Sequence, residues 1–199
     1  MTAQPQHYIT EEAYLAFERT SPTKHEYVDG AIYAMTGGKE PHNLIAGNVH
    51  AALHAQLRRK PCRVYQSDMR VKITQTGLNT YPDVVVLCGQ PHFTDAIHDT
   101  IVNPIVIIEV LAASTERYDR GKKFPHYQTI PTLQDYLLIA QDQQRVEHFV
   151  RQDNHTWLLR VVLGAAAAIT IASIDGMLLM ADIYEKVEIE PDSTEISPE

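Results

Sequence analysis

Two apolar, β-branched runs constrain this chain more than any other feature. The first follows Tyr81-Pro82-Asp83 and consists of Val84, Val85, Val86 and Leu87. The second is Pro104-Ile105-Val106-Ile107-Ile108-Glu109-Val110-Leu111. Both have the composition of buried strands. Each carries one carboxylate at a place where an ionised side chain is costly unless something compensates it. If the runs pair antiparallel, the start of one lies beside the end of the other, and Asp83 meets Glu109 at one end of the sheet. Two carboxylates that close repel, and one is driven to protonate unless a cation sits between them. Oxygen donors select a hard ion, so the expectation is Mg²⁺ or Mn²⁺. A second reading needs no ion: Asp83 caps a turn and Glu109 pairs with an arginine. The two runs by themselves leave both open.

The remaining chain reads as an alternation of helices and strands. Thr10, followed by Glu11 and Glu12, starts a short helix. Asp29-Gly30, between His25–Val28 and Ala31–Met35, predicts a hairpin. Pro41 to Lys60 has a helical period, with Ile45, Val49, Leu53 and Leu57 on one face. In Asp68–Ile73, Met69, Val71 and Ile73 alternate with Arg70 and Lys72, which predicts a strand whose polar side meets solvent or a ligand. Thr74–Thr80 and Gly89–Asn103 read as loops. Ser114 or Thr115 starts a further helix, in which Pro125 is awkward because it removes a backbone hydrogen bond. Four strand-like segments follow, Leu133–Ala140, Arg145–Arg151, Thr156–Leu163 and Ile169–Ile174. This order predicts an α+β domain with a central mixed β-sheet flanked by helices.

Composition narrows the classes. A chain of 199 residues, 44% hydrophobic and 21% charged, suits one domain with a substantial core, expected over residues 1–190. Residues 191–199 read as a disordered acidic tail. No run approaches the ~18 apolar residues of a membrane span, and Met1–Tyr8 lacks a signal-peptide core. Cys62 and Cys88 are expected as buried thiols in a reducing cytoplasm rather than as a disulfide or zinc site. His50 and His54 have the spacing of a helical metal pair, but no acid or cysteine stands at a matching distance in sequence. The formal net charge of −8 opposes strong non-specific nucleic-acid binding. Local basic patches are available at Arg58-Arg59-Lys60, Arg63, Arg70-Lys72 and Arg117 to Lys123.

Several short motifs stand in a fixed order: Glu26-Tyr27-Val28-Asp29-Gly30, His42, Tyr81-Pro82-Asp83-Val84, Ile108-Glu109-Val110-Leu111, Tyr118-Asp119-Arg120-Gly121-Lys122-Lys123 with Tyr127, and Ile130-Pro131-Thr132-Leu133-Gln134-Asp135-Tyr136. As a set, over about residue 10 to about residue 185, they resemble the Uma-type family of the PD-(D/E)XK nuclease superfamily. The resemblance implies a restriction-endonuclease-like core and a Mg²⁺-dependent endonuclease that hydrolyses DNA. It implies that Asp83 and Glu109 bind the metal, with Glu26 adding a third carboxylate from the hairpin. The superfamily lysine two residues after the second acid is replaced here by Leu111. The resemblance implies that Lys123, with Lys122 adjacent, takes over its role of orienting water or offsetting phosphate charge. It places His42 where it orients a metal ligand or touches phosphate. The displaced lysine and the acidic balance also motivate an alternative, a catalytically inactive nucleic-acid or protein interaction module. A third reading is an enzyme for a smaller phosphorylated substrate. Nucleases that cut both strands often pair two sites by symmetry, so a homodimer is expected, with Trp157 and Leu158 supplying its interface.

Overall fold

A computed structural model of the chain describes residues 8–113, 115–153 and 156–189. Helix α1 (Glu11–Glu18) is capped by the Thr10 hydroxyl, which accepts from the Ala13 N–H at 3.2 Å. Strands β1 (His25–Val28) and β2 (Ala31–Ala34) form the expected hairpin. Asp29 and Gly30 turn with φ of 50° and 78°, the left-handed pair that a tight two-residue turn requires. Helix α2 (Glu40–Leu57) has Pro41 in its first turn and buries Ile45, Val49, Leu53 and Leu57. Then come β3 (Cys62–Gln66), β4 (Arg70–Lys72), β5 (Asn79–Thr80), β6 (Val84–Cys88), β7 (Thr100–Ile101) and β8 (Val106–Leu111). Helices α3 (Glu116–Tyr118) and α4 (Phe124–Gln128) are joined by a π-helical turn over Asp119–Lys123. Strands β9 (Asp135–Ala140), β10 (Arg145–Arg151), β11 (Trp157–Leu163), β12 (Ala168–Ile171) and β13 (Gly176–Leu179) follow, and α5 (Met180–Ile183) ends the series. The expected acidic tail, residues 191–199, lies outside the described residues.

A mixed six-stranded sheet in the order β11-β10-β9-β8-β6-β3 is the centre of the fold. The pair β6–β8 is antiparallel, with Val84 opposite Ile108, whereas β8–β9 is parallel. Strand alternation then sorts the side chains. Val84, Val86, Val106, Ile108 and Val110 face α2, α5 and the β12–β13 pair, where they form one core. Val85, Leu87, Ile107 and Leu111 face the other way and pack with Val71, Ile73, Tyr127 and Tyr136. Glu109 shares the second face with Ile107 and Leu111, and Asp83 shares it with Val85 and Leu87. The two acids therefore lie on one side of the sheet, at one end of it.

Three expectations are corrected. Cys62 and Cys88 are not separate thiols: the β3–β6 register sets them directly opposite, their Cα atoms 3.9 Å apart, and they form a disulfide. Only the strand pairing brings together residues 26 apart in sequence. Second, Arg70 does not meet solvent or a ligand. A smaller sheet, β2-β1-β5-β4-β7, lies beside the central one, with β4 between two neighbours. Arg70 is 2% exposed and donates to the hydroxyls of Thr100 and Tyr81 at 2.8 and 2.9 Å, while Asp99 lies 3.0 Å away. Burial of a guanidinium is tolerable because Asp99 balances its charge and the two hydroxyls take two of its N–H groups, although Nη2 makes no hydrogen bond to a described residue. Third, the two expected loops are not wholly irregular, since Asn79–Thr80 and Thr100–Ile101 are strands of this second sheet. Within Gly89–Asn103, Asp95 and Asp99 pair with Arg19 of the α1 end.

Pro125 is accommodated by a change of helical register. It has no N–H to complete an α-helical bond to Gly121. The wider π turn just before it absorbs the mismatch, and it buries Asp119 and Lys123 on the inner side. Among the described residues, no helix is long and apolar enough to cross a membrane.

Candidate active site

Each functional side chain is delivered by a different element. Asp83 precedes β6 and Glu109 sits in β8, so the antiparallel register makes them cross-strand neighbours. Asp83 is held from two sides: its Oδ2 accepts from the Val110 N–H at 2.8 Å, and His42 Nε2 on α2 lies 3.2 Å away. The Asp83 N–H in turn points at Glu109 Oε2, at a long 3.4 Å. Glu109 Oε1 accepts from the Tyr127 hydroxyl at 2.8 Å and from Lys123 Nζ at 3.2 Å. All of these groups except Tyr127 line a cleft of about 1150 Å³.

Lys123 is the hub. Its ammonium lies 2.9 Å from Glu26, 3.2 Å from Glu109 and 3.1 Å from Asp119, and the residue is 5% exposed. Glu26 is brought in by the hairpin and also accepts from the Thr80 hydroxyl at 2.5 Å. The structure therefore gathers Asp83, Glu109, Glu26 and Lys123 in one place. It attaches Glu26 to the lysine rather than to Asp83. Lys122, the adjacent candidate, is exposed. His42 joins the site through Asp83. His50 and His54 stack with ring centroids 5.8 Å apart. Among the described residues, no three His, Cys, Asp or Glu side chains form a metal-ligating group.

The electrostatics follow from burial and neighbours. Burial pushes the Glu109 carboxyl well up; Asp119 and Asp83 add to this, while Lys123 and Tyr127 oppose it. Burial also raises Asp119. Burial alone would lower the Lys123 ammonium, but Glu109, Glu26 and Asp119 together outweigh it and raise it well above the usual lysine range. The hydrogen bond to Asp83 raises the His42 imidazole, against the effect of burial. Four carboxyl groups thus face one buried lysine and one histidine, and the crowding that raises Glu109 and Asp119 is what a further cation would relieve.

Asp119, Tyr127 and Thr80 carry no role in the sequence reading. Asp119 holds Lys123 from four residues back, and that i,i+4 spacing on a helix was the available signal. Thr80 offers no such signal. It reaches Glu26 only because β5 is threaded between β1 and β4.

This arrangement, acids at the end of a mixed sheet with a lysine supplied from a helix, defines a protein of nuclease-like fold. A crystal structure described as a putative nuclease belonging to DUF820, from Anabaena variabilis, superposes with a TM-score of 0.73 at 18% identity. The match covers 88% of this chain and 97% of that one. Residues 11–179 match the Uma2 family, described as "Putative restriction endonuclease", and the chain belongs to that family. Two relatives come from Synechocystis sp. (strain ATCC 27184 / PCC 6803 / Kazusa). Uncharacterized protein sll1609 is 36% identical over 161 residues, covering 81% of this chain and 91% of the relative. Uncharacterized protein slr1290 is 37% identical over 151 residues, covering 76% and 78%.

Proposed function

We propose that the chain is a metal-dependent phosphodiesterase that cleaves DNA, with Asp83 and Glu109 holding Mg²⁺ or Mn²⁺. The observation that carries this reading is the meeting of Asp83, Glu109 and Lys123 in one cleft. The donor set fits a hard ion. Asp83 has one oxygen, Oδ1, that no described residue engages, and Glu109 Oε2 has only the long contact to the Asp83 N–H. When bound, the ion would supply Lewis-acid polarisation of a phosphate oxygen. The chain's own residues do the rest. Glu26 and Asp119 fix the Lys123 ammonium, which faces the cleft beside Glu109 and offsets charge that develops on the phosphate. Tyr127 fixes one Glu109 oxygen, and the Val110 N–H and His42 fix one of Asp83. Both carboxylates are thereby oriented before an ion arrives.

Calorimetry tests the ion directly. Mg²⁺ and Mn²⁺ are expected to bind the full chain at millimolar concentration or below, and Asp83→Asn is expected to lose that heat. Wild-type protein that takes up neither ion, and cuts no DNA, favours the inactive-module reading. The specific support for that reading is that Lys123 is already surrounded by three carboxylates.

We also propose a homodimer, paired through the β11 edge. Leu158, Leu159, Val161 and Leu163 are all more than two-fifths exposed there, and no proline or lysine protects the edge. Trp157, by contrast, packs on Phe124 and under Arg151. An antiparallel two-fold centred on Val161 sets Leu159 opposite Leu163 of the second copy and Arg160 opposite Val162. A centre one residue earlier would oppose two guanidiniums, which disfavours it. Sedimentation is expected to show a dimer for wild type and a monomer for Val161→Lys. A wild-type monomer at all concentrations rejects the interface.

A further inference from the structure

The cleft that holds the site is poorly built for a duplex. Duplex binding draws its affinity from clustered lysines and arginines that displace counterions from many phosphates. Among the described residues that line this cleft, the long basic side chains are Lys24, Lys39 and Lys123, and no arginine is present. Lys24 is already paired with Asp68 at 2.8 Å, and Lys123 with its three carboxylates. Lys39 is left. Against them the same walls carry Glu18, Glu26, Asp68, Asp83, Glu109 and Asp119. Of the basic patches read from the sequence, Arg70 is buried, Lys72 is held by Glu11, Lys60 by Asp175, and Arg120 by Glu116 and Glu147. Arg58, Arg59, Arg63, Arg117 and Lys122 are exposed, but none of them lines the cleft. A bound dication would balance the phosphate at the reacting centre, but it leaves the flanking phosphates of two strands without partners.

Affinity for nucleic acid can come instead from stacking, which needs unpaired bases and an accessible aromatic ring. Tyr33 supplies one. It lines the cleft, it is 53% exposed, and its hydroxyl makes no hydrogen bond to any described residue. Its position matters more than its exposure. In the β1–β2 register Tyr33 is directly opposite Glu26, so the two side chains leave the hairpin on the same face, within cross-strand contact range. Glu26 in turn contacts Lys123, so it links the strand position of the ring to the lysine of the site.

We propose that the cleft takes an unpaired DNA strand, one base of which stacks on Tyr33 beside the reacting phosphate. This rests on the phosphodiesterase reading and adds the substrate's form to it. The ring of Tyr33 selects for a strand whose bases are free, and the scarcity of cations selects against a paired one.

The test measures binding and cleavage separately on the full chain. Fluorescence anisotropy uses a fluorescein-labelled single-stranded oligodeoxynucleotide and the duplex of the same sequence, with Ca²⁺ replacing Mg²⁺ to hold the strand uncut. Single strand is expected to bind at least about tenfold tighter than duplex. Tyr33→Ala is expected to lose about tenfold of that affinity, and Tyr33→Phe or Tyr33→Trp to keep it. Duplex affinity should not respond to Tyr33→Ala, and the variant should melt with wild type, since an exposed ring contributes little to stability. Duplex binding equal to or tighter than single strand, or unchanged single-strand binding by Tyr33→Ala, overturns the proposal. Cleavage in Mg²⁺ is scored alongside. Binding that depends on Tyr33 without any cleavage would reject the hydrolase reading and leave strand selection standing; duplex-preferring cleavage would do the reverse.

Discussion

Asp83→Asn and Glu109→Gln are each expected to lower Mg²⁺-dependent DNA cleavage by about a thousandfold or more, while leaving the melting temperature unchanged or higher. Each substitution keeps shape and hydrogen-bond acceptance. The amide oxygen that Asp83→Asn introduces can still accept from the Val110 N–H, and the one that Glu109→Gln introduces can still accept from Tyr127. These are the contacts that fix the two wild-type side chains. What is lost is the negative charge that an ion needs, and an ion that polarises phosphate contributes several kcal/mol to the transition state. The stability arm separates function from folding. Glu109 is 4% exposed, and its carboxyl is pushed up by burial and by its acidic neighbours. A neutral isostere relieves that cost, as is common where a site holds like charges together for function. Cleavage rates, metal-binding heats and thermal melts on the same preparations give all three readouts. A variant that cuts as fast as wild type removes the assignment of that residue. A variant that loses cleavage only because it melts tens of degrees lower leaves Asp83 and Glu109 as structural acids.

The acid-bearing strands were legible because their physics is local. Asp83–Leu87 and Ile105–Leu111 are β-branched runs with a single charge each. Antiparallel pairing, the simplest arrangement, already puts Asp83 beside Glu109, and the structure has that register. The Asp29-Gly30 turn was legible for the same reason, since its backbone preference belongs to the two residues themselves. Arg70 was misjudged because alternation in β4 reports two faces but not what covers each. The α1 helix and the Thr100 strand cover its polar face, and that is a long-range fact. The Cys62–Cys88 disulfide failed for a related reason, because only the β3–β6 pairing decides which residues face each other. The family resemblance pointed to Lys123, but of its surroundings only the i,i+4 spacing of Asp119 was available in the sequence. Three carboxylates reach it from β1, β8 and the π turn, and each strand's neighbour had to be known first.

Lys123→Met is expected to destabilise the metal-free protein by about 3–5 kcal/mol, the usual cost of leaving a buried charge without its partner. For a domain of this size that corresponds to a fall of roughly 6–20 °C in melting temperature. The lysine balances Glu26, Glu109 and Asp119 at 2.9–3.2 Å, and all three are nearly inaccessible to solvent. Methionine fills the same volume but returns no charge. The loss should depend on pH in one direction. A buried carboxyl whose folded pKa is raised binds its proton more tightly folded than unfolded. Its stabilising contribution is complete below the unfolded pKa and is lost as pH rises through the folded value. Glu109 and Asp119 are already raised with the lysine present, and without it they rise further. The penalty of Lys123→Met should therefore be small near the ordinary carboxylate range and grow toward neutral and alkaline pH. Urea midpoints across that range measure it. Adding Glu26→Gln should recover part of the loss, because the residues share one network and their effects do not add. Added Mg²⁺ should stabilise Lys123→Met more than wild type, since an ion is then the cation left to balance the acids. A Lys123→Met protein as stable as wild type at every pH would mean that the acids are neutral in the folded chain, leaving no crowding of charge for an ion to relieve.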